Sequence, residues 1–267
     1  MAKFQNEQCY ARELGGCSQE VDREHYLSEC VLELIEHHSN KESRSVRVRG
    51  LAFQQPGEVK RLGVGGLSAR ILCVSHHSQL SRFDSAGKAM FTAMDRLNQG
   101  AGDSIAPHQT VRVDGDRLER WMLKAFLGGL YSGNYRVTAT DGMEGVCPPR
   151  NLLDILFKED AFPQGQGLYW MPPKTGEDII ADQAILQVEV LGTDDGQHVS
   201  GFRVWFFGFE FSLLIAGLTP GVPTMFDNAC YRPAGLQVVG SNVHIDFNWK
   251  NGPKSKEIVL HHVKPSA

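Results

Sequence analysis

The sequence predicts an α+β protein in two parts: a small metal-centred module at the N-terminus, then a mixed α+β domain with an antiparallel sheet. Three observations predict it. Thiols and imidazoles gather in two short stretches, Cys9 to His25 and Leu72 to His77. Apolar residues fall at helical spacing in several segments of the first 157 residues. From about Ile185 onward they fall in short β-like runs. The segment Asn98-Gln99-Gly100-Ala101-Gly102-Asp103-Ser104 has linker composition. It sets the expected division: residues 1–97, a linker at 98–110, and a second domain at 111–267.

A chain of 267 residues suits two modest domains. The net charge of −4 argues against a whole-molecule field suited to a polyanion. The charge is uneven, however. Between Lys41 and Arg70, Lys41, Arg44, Arg47, Arg49, Lys60, Arg61 and Arg70 face only Glu42 and Glu58, so a local basic arm can still meet phosphates. No run approaches the ~20 apolar residues of a membrane span, and the polar first residues do not read as a signal peptide. The expected location is the cytoplasm, where thiols stay reduced. Reduced cysteines near histidines favour metal ligation over disulfides.

In chain order, residues 8–25 have little helical periodicity. Gly15-Gly16 lets the backbone turn tightly between Cys9 and Cys17. Val21 to His25 reads as a short strand, on which Glu24 and His25 diverge unless it bends. Ser28 can cap a helix from about Glu29 to His37, striped by Val31, Leu34 and Ile35. Cys30 beside that stripe reads as a small buried hydrophobe, and His37 and His38 as exposed helix-end residues.

Arg44, Arg47 and Arg49 alternate with Val46 and Val48, which suits an exposed strand. Gln54-Gln55-Pro56-Gly57 is a turn signal. Gly63-Val64-Gly65-Gly66 lacks the Gly-Lys-Ser/Thr ending of a phosphate loop and reads as a solvated loop. Leu67 to Leu72 is a strand entering Cys73, and one helix is expected from His76 to about Leu97.

Beyond the linker, Asp116 to Tyr131 and Asn151 to Phe157 read as helices, with an irregular stretch containing Cys147-Pro148-Pro149 between them. Leu186 to Leu191, Phe202 to Ala216, Leu236 to Val239, Val243 to Trp249 and Ile258 to Val263 are strand candidates. Phe202 to Phe207 is too apolar for a strand with one wet face and belongs centrally in a sheet or under helices.

Tetrahedral zinc needs four thiolate or imidazole ligands. Cys9, Cys17, Cys73 and His76 supply them. Cys73 and His76 have the short gap of a turn-to-helix metal knuckle, whereas the gap between Cys9 and Cys17 is wider than usual. A closed zinc does no chemistry, which leaves Glu24, His25 and His77. Glu24 and His77 can offer an oxygen and a nitrogen to a second divalent metal, with His25 as general base. Such a metal polarises a phosphoryl oxygen, so phosphodiester hydrolysis is the expected chemistry.

Asp22-Arg23-Glu24-His25, followed by Tyr26-Leu27-Ser28, resembles the acid-His segment of HNH endonucleases. Leu72-Cys73-Val74-Ser75-His76-His77-Ser78-Gln79-Leu80 resembles their Cys-x-x-Cys/His-His/Asn segment. The resemblance implies a ββα-metal, treble-clef-like finger over residues 9–97. It also implies His25 as general base, and Glu24 and His77 on a catalytic Mg2+ or Mn2+. Nucleic acid, with DNA favoured, is then the expected partner, and Arg44, Arg47 and Arg49 are its expected phosphate contacts. The chain departs from the pattern in two ways. No Asn occurs between Lys41 and Leu97 to take the middle position, and the two segments are far apart.

Each residue also has a plainer reading. His25 can be a satisfied core histidine, His76-His77 can be surface residues at a helix start, and Glu24 can pair with Arg23 or Arg70. A noncatalytic zinc module that binds nucleic acid or protein is the alternative function. A zinc-stabilised scaffold with a binding role in residues 111–267, through a protein partner, an oligomer or a pocket at Trp205, Phe206 and Phe207, is the third.

Overall fold

The computed structural model describes residues 5–39, 45–99, 107–135, 148–171, 185–192, 199–216 and 229–261. The fold is α+β. β1 (Val21–His25) leads to α1 (Glu29–Ser39), then to β2 (Ser45–Arg49), β3 (Lys60–Gly63) and β4 (Ser68–Cys73). α2 (Val74–Leu80) follows β4 directly, and α3 (Asp84–Gln99) comes after a short 3-10 turn. β5 (Gln109–Asp114) runs into α4 (Gly115–Tyr131), and α5 (Arg150–Phe157) precedes the strand-rich part. That part comprises β6 (Gly167–Met171), β7 (Ile185–Gly192), β8 (Val199–Phe206), β9 (Phe209–Leu214), β10 (Cys230–Tyr231), β11 (Gly235–Val239), β12 (Val243–Asn248) and β13 (Ile258–His261).

Among the described residues the strands form three sheets. β1 and β4 pair antiparallel, with a register shift between Asp22 and Glu24. Because α2 continues from β4, this pair and α2 make a ββα unit. A seven-stranded sheet has the order β10-β6-β9-β8-β7-β2-β3 and is antiparallel except between β2 and β7. A four-stranded sheet has the order β13-β11-β12-β5, with β11 and β12 antiparallel and both outer pairings parallel.

The segments expected on either side of residues 98–110 share a sheet and a core. β2 and β3 lie beside β7, and one apolar cluster runs from Cys9 to Leu260. α4 sits at its centre, with every residue from Leu118 to Leu130 buried. A helix buried on all sides is a core element. Close approach to its neighbours is set by glycine. A Cβ on Gly128 would lie 2.4 Å from the Tyr26 Cβ, and one on Gly87 of α3 would lie 2.5 Å from the Trp121 ring. Among the described residues, no helix is long and apolar enough to cross a membrane.

Several elements differ from expectation. The helix expected from His76 to Leu97 is broken at Ser81–Phe83, where a 3-10 turn re-aims the chain into α3. The strand expected over Phe202–Ala216 is a hairpin. Phe207 and Gly208 form its two-residue turn at φ 52° and 79°. That geometry joins antiparallel strands tightly, and Phe at the first position conceals it in the sequence. β2 is not an exposed strand: it lies between β3 and β7, with Val46 and Val48 buried and Arg47 and Arg49 half-buried. Gly63 to Leu67 is the end of β3 followed by a 3-10 turn. β3, β5, β6 and β10 are strands that the sequence does not predict, and Cys147 and the linker core at 100–106 lie outside the described residues.

A buried ion pair ties α4 to the strand-rich part. Arg232, just after β10, places Nε 2.8 Å and Nη2 2.9 Å from the two carboxylate oxygens of Glu119. The Leu168 N–H donates to Glu119 Oε1 at 2.7 Å. Burial lifts the Glu119 carboxyl above its usual range, against the opposing pull of Arg232.

Candidate metal centre

Cys9, Cys17, Cys73 and His76 converge at the start of α2. All four ligand atoms lie within 4.8 Å of one another. The three sulfurs lie 3.4, 3.8 and 3.2 Å from His76 Nδ1, in the order Cys9, Cys17, Cys73. One imidazole nitrogen has one proton or one lone pair, so it cannot hydrogen-bond three thiols at once. A tetrahedral zinc with ordinary Zn–S and Zn–N bonds separates its sulfur and nitrogen ligands by about 3.6 Å. The observed distances bracket that value, so this donor set fits a metal such as zinc.

Local sequence explains the convergence. The loop from Cys9 to Cys17 closes through a 3-10 turn at Arg12–Leu14, and Gly15 and Gly16 both take positive φ, 72° and 78°. A side chain would resist that geometry. The loop is strapped to β4 and α2: the Tyr10 N–H donates to the Ile71 carbonyl at 3.0 Å, Val74 N–H to the Glu20 carbonyl at 3.0 Å, and Ser75 N–H to Ser18 Oγ at 3.1 Å. Cys73 is the residue before α2 and His76 lies in its first turn. Phe157 of α5 packs edge-on to the His76 ring, at 5.2 Å between centroids.

Burial pushes the Cys9 thiol well above its ordinary range. Burial also disfavours a Cys73 thiolate, but hydrogen bonds from the backbone of His76 and Ser18 and from the Ser18 hydroxyl outweigh it and hold this thiol low. Burial lowers His76, which leaves its imidazole neutral and able to ligate. Cys30 stands apart from the cluster, half-buried and directed at the Asp84 carbonyl.

His77 follows His76 and meets β1. Its Nε2 lies 3.4 Å from Glu24 Oε2 and its Nδ1 lies 3.1 Å from Asp22 Oδ2. Asp22 and Glu24 are two apart on β1, so both carboxylates share the strand face that His77 meets. Glu24 is 1% exposed. Its other oxygen lies 2.9 Å from Lys124 Nζ, so its cation is neither Arg23 nor Arg70. Neither Glu24 oxygen has an aligned hydrogen-bond donor among the described residues. Lys124 also donates to Asp84 Oδ1 at 2.7 Å. The Ser28 hydroxyl donates to the same oxygen, and Trp121 Nε1 donates to Ser28 Oγ at 2.7 Å. Burial disfavours the ammonium, but Glu24 and Asp84 outweigh it and lift Lys124 above the usual lysine range.

Sequence reasoning missed Lys124, Asp84 and Asp22 as members of this cluster. Lys124 is the one a pattern could have flagged, as the single charge in the otherwise apolar run from Trp121 to Leu130. His25 is half-buried on the next position of β1, opposite Ser68. No hydrogen bond or ion pair joins it to Glu24 or His77 among the described residues. Arg49 donates to Gln187 Oε1 at 3.3 Å, and Arg47 lies directly across from Arg61. Arg44 is outside the described residues. Trp205 caps Glu210 by a 2.8 Å hydrogen bond, and Phe206 and Phe207 are buried in the core.

Compared with protein-family models, curated proteins and solved structures, the chain shows no match to any of them.

Proposed function

We propose that the ββα unit is a metal-dependent endonuclease site of HNH type, which hydrolyses phosphodiester bonds of nucleic acid. One observation carries the reading: the Cys73–His76 knuckle sets the adjacent His77 against Glu24, beside a donor set that fits zinc. Zinc would be held by Cys9, Cys17, Cys73 and His76 and would fix α2 on β1. Glu24 and His77 would hold Mg2+ or Mn2+, which supplies charge stabilisation at the phosphoryl oxygen and leaving alkoxide. Asp22 orients the His77 ring from its far nitrogen, as carboxylates do behind metal-binding histidines. His25, next along β1, would take the proton from the attacking water. Arg47 and Arg49 would contact phosphates from the outer face of β2.

A second reading is a zinc-stapled module without chemistry, which binds nucleic acid or a protein partner. The specific observation favouring it is Lys124, whose ammonium already neutralises Glu24. A nicking assay on supercoiled DNA with Mg2+ or Mn2+ separates the two. The nuclease reading expects cleavage that needs the added metal and falls in His25→Ala. Absence of cleavage of both DNA and RNA by zinc-loaded protein with either metal would decide for the second reading.

A further inference from the structure

We propose that Lys124 is a positioning residue that competes with a divalent cation for Glu24, and so sets how tightly the Glu24–His77 pair takes one up. This rests on the nuclease reading of that pair. The geometry is that of one ammonium shared by two carboxylates, 2.9 Å from Glu24 Oε1 and 2.7 Å from Asp84 Oδ1. Lys124 is 3% exposed, on a helix buried on all sides, so it has no route to solvent. Its two homes are Glu24 and Asp84. Asp84 is itself held, by the Ser28 hydroxyl, which Trp121 fixes in turn.

A dication on Glu24 would stand a few ångströms from the ammonium, where like charges repel strongly even after dielectric screening. Uptake of the cation therefore requires the ammonium to lean onto Asp84, which is already within hydrogen-bond distance. Glu24 keeps a cation at all times, Lys124 before uptake and the divalent ion after it. Asp84 acts as the parking place. It stands at the first residue of α3.

The test is Mn2+ titration of zinc-loaded protein, read as loss of the free Mn2+ electron paramagnetic resonance signal, for wild type, Lys124→Met and Asp84→Asn. Lys124→Met removes the competitor and is expected to bind Mn2+ at least about tenfold more tightly than wild type. Asp84→Asn removes the parking place, leaves the ammonium on Glu24, and is expected to bind at least about tenfold more weakly. Retention of zinc in each variant reports that the module is folded. Should Lys124→Met fail to hold zinc, the Asp84→Asn arm still decides. Equal Mn2+ affinity in all folded proteins overturns the role of Lys124 and leaves the metal reading standing. Absence of Mn2+ binding in all of them overturns both.

Discussion

His77 Nε2 lies 3.4 Å from Glu24 Oε2, and the residue before it, His76, points its Nδ1 at three sulfurs. The two sites are thus linked through one peptide bond at the start of α2. Whatever holds His76 also aims His77, so loss of zinc is expected to disorder the Glu24 site as well.

Zinc removal is the first test. Freshly purified protein should carry about one zinc per chain by metal analysis. Cys73→Ser should lose it, and with it the ordered packing of the Cys9–Cys17 loop on β4 and α2. Structural zinc in small modules contributes on the order of 10–16 kcal/mol of coupled binding and folding free energy. Cys30→Ser, outside the cluster, should keep full zinc. Loss of zinc in Cys30→Ser but not in Cys73→Ser would reverse the assignment.

His25→Ala tests the general base. Loss of such a group costs roughly two to four orders of magnitude in rate, so cleavage should drop by that amount while zinc content and thermal unfolding stay at wild-type values. Glu24→Ala and His77→Ala should instead raise the Mg2+ or Mn2+ concentration needed for half-maximal activity. Undiminished cleavage in His25→Ala would move the chemistry to another residue.

The arginines on β2 test the nucleic-acid reading. Arg47→Glu together with Arg49→Glu should weaken binding without regard to sequence and flatten its salt dependence by about one counterion for each arginine replaced. Both side chains are half-buried on the face opposite Val46 and Val48, so far-ultraviolet circular dichroism serves to check that the double variant keeps its sheet. Equal binding by the double variant and wild type would make these residues an ordinary solvated face.

The Glu119–Arg232 pair tests the fold rather than the function. Arg232→Ala leaves a fully buried carboxylate without its partner, and breaking such pairs costs about 3–5 kcal/mol. Chemical denaturation should show a loss of that size. Gly167→Ala should destabilise as well, because Gly167 sits at φ 119° with its Cβ position 2.3 Å from Glu119 Oε1. A neutral outcome for Arg232→Ala would mean that the pair is relaxed by solvent in solution.

The sequence by itself determined the elements whose signals are local. The span of β1, the amphipathic α1, the buried stripe of α4 and the short α5 all follow from side-chain period. The four candidate zinc ligands were legible for the same reason, since thiols and imidazoles near glycine turns have few other uses in a reduced chain. The tertiary structure decided what depends on distant partners. β2 reads as a wet strand by its alternating arginines, but it is enclosed because β7, far along the chain, pairs with it in parallel. The Phe207-Gly208 turn is hidden because an aromatic residue adopts a positive φ once both strands are held in register. Lys124 reads as one lysine on a helix, and Glu24 as one acid on a strand. They become a pair only when burial of α4 on every face leaves the ammonium no solvent, and Glu24 and Asp84 as its counter-charges. A buried charge must be compensated by whichever opposite charges the fold brings near it, and local sequence holds no record of that choice.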